Sequence, residues 1–160
     1  MLLTSALSRV LIAVSALILA TSAGAQSPRA NLGVLTCTLG EQGEAQGTPV
    51  GEGRAMRCVF KPTAGGAEQT FSGLIRKVAQ GQIPSGKLVM IWVVQGPGGG
   101  KNDPAALEQT YFGASEGSGA GSTLIGERNA EIVLQAESED SGPSGVSVTV
   151  MHLKILAVPA

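Results

Sequence analysis

Leu35, Cys37 and Leu39 alternate with Thr36 and Thr38, and Met56, Cys58 and Phe60 alternate with Arg57, Val59 and Lys61. Successive side chains of an extended strand point to opposite faces, so each stretch reads as a strand with one apolar face. Strands are therefore predicted over 32–39 and 54–61, with both cysteines on the inward faces of neighbouring strands. A third strand is predicted over 68–77, with Phe71 and Ile75 inward. Gly73 between them marks a bulge or the close approach of a large neighbour, for which Trp92 is the candidate. Residues 87–95 are apolar on both faces, with Leu88, Met90, Trp92 and Val94 on one and Val89, Ile91 and Val93 on the other. That pattern predicts a central strand covered on both sides within the domain, the alternative being a second face that meets a ligand or partner. Asp103-Pro104 is suited to cap and begin a short helix through Glu108. Residues 109–114 read as extended, with Tyr111 and Phe112 on opposite faces. A short strand pair follows at 122–126 and 130–136 around the Gly126-Glu127-Arg128-Asn129 turn, and a final strand at 146–157 is interrupted on its apolar faces by His152 and Lys154. Gly, Pro and Ser fill the segments between, including 40–53, 96–100, 113–121 and 137–145. The expected architecture is all-β with little helix: a single antiparallel β-sandwich or small barrel of about eight strands.

The amino-terminal end changes the picture of compartment. Arg9 precedes an apolar run from Val10 to Ala20, and Ala23-Gly24-Ala25 offers the small residues that a signal peptidase reads. This predicts a signal peptide over 1–25, cleaved before Gln26, and a single domain over 26–160. The run breaks at Thr21-Ser22, short of the roughly 20 apolar residues that a membrane span needs. Without Arg9 the chain keeps 10 basic residues against 12 acidic ones. So balanced a surface points to neither nucleic acid nor anionic membrane as a partner. Cys37 and Cys58 are the only cysteines, and an even count in an oxidising compartment reads as one disulfide. Closing that loop is worth roughly 3 kcal/mol in the chain-entropy view.

Several stretches imitate catalytic or binding motifs. Gly113-Ala114-Ser115-Glu116-Gly117 matches the serine-hydrolase pattern, and Asp140 and His152 follow in the right chain order. The motif requires a strand, a sharp turn and a helix. Ser118-Gly119-Ala120-Gly121-Ser122 is a poor start for a helix, so Ser115 is not read as a nucleophile. Gly96-Pro97-Gly98-Gly99-Gly100-Lys101 resembles a phosphate-binding loop, but Gln95 and Asn102 stand where that loop needs Gly and Ser or Thr. Gly117 to Gly121 lacks the spacing of a dinucleotide fingerprint. Glu137, Glu139 and Asp140 read as a solvated turn, and His152 as structural. One Trp, one Tyr and three Phe are too few for a stacking platform along a nucleic acid or a sugar. The expectation is no cofactor, no metal and no catalytic residue.

The segments Gly33-Val34-Leu35-Thr36-Cys37, Cys58-Val59-Phe60-Lys61-Pro62, Phe71-Ser72-Gly73 with Ile75, and Met90-Ile91-Trp92-Val93-Val94 follow one another in order. Leu107, Tyr111, Gly113, Ala114 and Ile132-Val133-Leu134-Gln135 continue the series. Together they resemble domain of unknown function family 992, small exported proteins of alphaproteobacteria. The resemblance implies a periplasmic, two-cysteine β-domain and implies no activity. The leading functional expectation is a non-catalytic binding or interaction module of the envelope, whose partner is another envelope protein or a small apolar ligand. The alternatives are a carrier with an interior cavity beside Trp92, lined by Met90 and Phe71, and a hydrolase using Ser115.

Overall fold

The structure is a computed structural model that describes residues 28–40, 49–50, 53–79, 83, 85–98, 103–113, 123–137 and 149–158. The proposed signal segment, Ser115, Glu139, Asp140, Gly99 to Lys101 and Gly117 to Gly121 lie outside the described residues. The strands are β1 (Arg29–Leu39), β2 (Pro49–Val50), β3 (Gly53–Pro62), β4 (Gln69–Val78), β5 (Leu88–Pro97), β6 (Thr110–Gly113), β7 (Thr123–Gly126), β8 (Val133–Ala136) and β9 (Val150–Ala157). One 3₁₀ turn, η1 (Pro104–Leu107), joins β5 to β6, and Asp103 caps it by accepting from the Ala105 N–H at 3.0 Å. The short helix expected after Asp103 is thus present in its tighter form. The only strand without a predicted counterpart is the two-residue β2, which adds to the edge of β3 inside the Gly-rich stretch.

Every strand pairs antiparallel with its neighbours, in the order β1-β5-β8-β7-β6-β9-β4-β3, and β3 returns to β1. The circuit is a closed eight-stranded barrel with β2 as an appendage. Closure depends on β1, which pairs with β3 along Gly33 to Thr38 and with β5 along its whole length. The β1–β5 register slips between Asn31 and Gly33, and a slip of this kind bends a strand where a sheet must curl.

The interior is stacked in rows set by register. One row runs Phe71–Cys58–Cys37–Met90 across β4, β3, β1 and β5. The next runs Phe60–Leu35–Trp92–Ala136 across β3, β1, β5 and β8. Cys37 and Cys58 are directly opposite each other, with Cα atoms 4.0 Å apart, and are joined as a disulfide. Both are wholly buried. The alternation in β1 and β3 put the sulfurs inward, and the register put them in contact.

Two expectations change. Gly73 faces Met56, not Trp92: a Cβ there would come within 2.8 Å of Met56 Cγ and Cε and 2.9 Å of Cys58 Sγ. Met56 and Gly73 are register partners, so the long thioether side chain occupies the space that Gly73 leaves. Strand β5 is also not covered on both sides. Its inner residues Leu88, Met90, Trp92 and Val94 are buried, whereas Val89 is 40% exposed and Ile91 and Val93 are half-buried. In a closed barrel every strand is central in its hydrogen bonding yet keeps one face outside.

Candidate functional site

One end of the barrel carries a buried polar network. Gln109, just before β6, is 6% exposed and is the hub. Its Oε1 accepts from the main-chain N–H groups of Arg128 at 3.0 Å and Asn129 at 2.8 Å. Its Nε2 donates to the Ala106 carbonyl at 3.3 Å, to the Tyr111 hydroxyl at 3.4 Å and to the Asn129 carbonyl at 3.5 Å. The Tyr111 hydroxyl in turn donates to the Leu107 carbonyl at 3.0 Å, and the Arg128 guanidinium donates to the Glu108 carbonyl. One buried amide therefore ties η1 to the β7–β8 turn. Gly126 makes room for it: a Cβ there would lie 2.5 Å from Gln109 Nε2 and 2.4 Å from the Asn129 carbonyl. Sequence reasoning placed 109–114 in an extended segment without singling out Gln109, because its partners come from a turn 19 and 20 residues later.

Tyr111 is wholly buried, and its hydroxyl pKa is pushed up to about 12, chiefly by burial and against the lowering effects of the Gln109 hydrogen bond and the Arg128 charge. Between about pH 10 and 12 the unfolded chain releases a proton that the folded chain holds, so stability falls as pH rises through that window. The expected loss is about 2–3 kcal/mol, complete above about pH 12. Tyr111 is the only tyrosine, so phenolate absorbance titrates this group alone. Native protein should ionise about 2 pH units above denatured protein, and Tyr111→Phe should flatten this component of the stability profile.

Beside the network lies a partly open pocket of about 170 Å³. Phe60 and Val94 line it from the barrel interior, Leu32 from β1, Pro97 from the end of β5, Ile132 from the residue before β8, and Pro104, Ala106 and Leu107 from η1. Asp103 and Asn129 supply its polar lining. The residues expected around an interior cavity are placed elsewhere. Phe71, Met90 and Trp92 pack in the core at 4%, 2% and 4% exposure, and none of them lines this pocket. Phe71 and Met90 end the row that contains the disulfide, while Trp92 belongs to the next row along β5.

On the outer wall, register brings Ile125, Phe112 and His152 side by side across β7, β6 and β9, with the buried Val133 of β8 at one end and Lys77 of β4 at the other. Phe112 is 42% exposed and Ile125 36%. The Phe112 and His152 rings lie 4.6 Å apart, tilted by 34°. Burial, then the charge of Arg76, lower the His152 pKa against the raising effect of Glu127, so the ring is neutral at pH 7 and belongs to the apolar row. Gly113, the first residue of the hydrolase-like motif, ends β6, which runs antiparallel to both neighbours. Among the described residues no group of three or more His, Cys, Asp or Glu is placed to hold a metal, and no helix is long and apolar enough to cross a membrane.

Fold and site define a small, disulfide-closed antiparallel β-barrel with a pinned end pocket and an apolar outer row. The chain matches, over residues 16–156, the model of a family described as protein of unknown function (DUF992), and it belongs to that family. No curated protein and no solved structure matches the chain.

Proposed function

We infer that the protein is an exported, non-catalytic binding module that engages another envelope protein through the outer wall of its barrel. The observation that carries this reading is the Ile125–Phe112–His152 row. Aromatic and branched side chains from three strands are aligned by register and left partly in water. A soluble domain has little reason to align exposed apolar side chains unless another surface covers them. The neutral His152 ring extends the row, and Lys77 at its edge supplies a charged rim, the usual anatomy of a protein interface. Export is supported by the disulfide, which is at home in an oxidising compartment. The reading includes cleavage before Gln26, suggested by the small residues Ala23-Gly24-Ala25, and a periplasmic location.

A photo-activated cross-linker at position 112 or 125, in cells that export the protein, should give a discrete adduct. The same group at Glu68, an exposed turn residue between β3 and β4, should give none. The recovered protein should have a mass that begins at Gln26. Equal labelling at all three positions, or none at 112 and 125, would remove the interface. A retained amino-terminal segment would remove the processing site.

A further inference from the structure

We propose that the pocket at the η1 end of the barrel is a preorganised site for a small free ligand, made of one ring-sized apolar group bearing a hydrogen-bond donor or positive charge. This goes beyond the outer-wall reading and rests on different residues. The size argument comes first. A cavity of about 170 Å³ is close to the roughly 150 Å³ apolar cavity known to stay dry and take up benzene. It is well below the roughly 300–1,000 Å³ of sites that enclose drug-sized ligands. One aromatic ring or a compact branched alkyl group fits, and a long acyl chain does not.

The lining sets the chemistry. Leu32, Phe60, Val94, Leu107 and Ile132 present hydrocarbon, and Asp103 and Asn129 supply the polar part. The Asp103 Oδ1 already accepts from the Ala105 N–H, which fixes the carboxylate at the site. A fixed carboxylate beside an apolar slot attracts an ammonium or hydroxyl donor and repels a carboxylate ligand. The Asn129 side-chain oxygen accepts from the Glu131 N–H at 3.0 Å, so the second polar residue is also held.

Preorganisation is the third argument. Gln109 and Tyr111 bind the carbonyls of Ala106 and Leu107 on one side of the pocket, and Gln109 binds both main-chain groups of Asn129 on the other. The two walls belong to segments far apart in sequence, yet one buried amide spans them. A site whose walls are already fixed loses little entropy when it is occupied. Gln109 and Tyr111 are thus positioning residues for this pocket.

The test uses protein recovered from cells that export it, with methyl groups observed by NMR and 4-fluorobenzylamine and 4-fluorobenzoate as probes. The amine should shift the methyl signals of Leu32, Val94, Leu107 and Ile132 saturably, leave those of Leu39 and Val78 unchanged, and bind at least about tenfold more tightly than the benzoate. Ala106→Phe, which places a ring in the pocket from η1, should weaken the amine at least about tenfold while the fluorescence of Trp92 stays native. Absence of saturable shifts at millimolar amine overturns the site. Shifts centred on other methyls do the same, and equal binding of the benzoate overturns the ligand class. The methyl map in the wild-type protein decides the matter if Ala106→Phe does not fold.

Discussion

Trp92→Ala is expected to lower the free energy of unfolding by about 3–5 kcal/mol, seen as a lower urea midpoint with an unchanged slope. The ring is 4% exposed and sits in the row between Leu35 and Ala136, with Phe60 beyond. A barrel this narrow is filled by side chains, so the space left by the indole has no ready way to close. Had Trp92 lined a water-filled cavity, truncation would cost well under half as much, because little packed surface would be lost. A drop below about 1 kcal/mol would therefore overturn the placement of Trp92 in the core. The folded state of the variant should be followed by circular dichroism, since Trp92 is the only tryptophan.

The paired substitution Cys37→Ala with Cys58→Ala is expected to cost about 3–4 kcal/mol. Roughly 3 kcal/mol comes from releasing a loop of 21 residues' separation in the unfolded chain, and the remainder from the small void left by two buried sulfurs. Because both cysteines are wholly buried between Phe71 and Met90, a reductant should reach them only after the barrel opens. Alkylation of native protein in reductant should then proceed no faster than unfolding. Two thiols that react at once in native, unreduced protein would contradict the bridge. A midpoint unchanged in the double variant would contradict its contribution to stability.

Period-two alternation was enough to locate nearly every strand, since burial on one face imprints directly on the local sequence. β1, β3, β4 and β5 extend only one to three residues beyond the stretches read from Leu35, Cys58, Phe71 and Trp92. The hydrolase-like and phosphate-loop-like stretches fail on their own flanking residues, because glycine-rich turns generate such patterns freely. Contacts set by distant segments leave no such local imprint. The local sequence around Gly73 points to the large side chain of Trp92, but register gives the place to Met56. The two apolar faces of β5 suggested cover on both sides, although nothing within that strand distinguishes a sandwich interior from a barrel wall. Gln109 carried no local sign of its role, because its acceptor and donor partners arrive from the turn at Arg128 and Asn129.

The sequence by itself determined the all-β class, the inward placement of both sulfurs, and the placement of Tyr111 and Phe112 on opposite faces. Each follows from the chemistry of neighbours two residues apart. The tertiary structure decided barrel over sandwich, through the pairing of β1 with both β3 and β5. It also decided that Trp92 fills the core while a pocket opens at the end pinned by Gln109 and Tyr111. Closure, register and pocket walls each depend on segments that meet only in the folded chain, and no local period encodes which of them will meet.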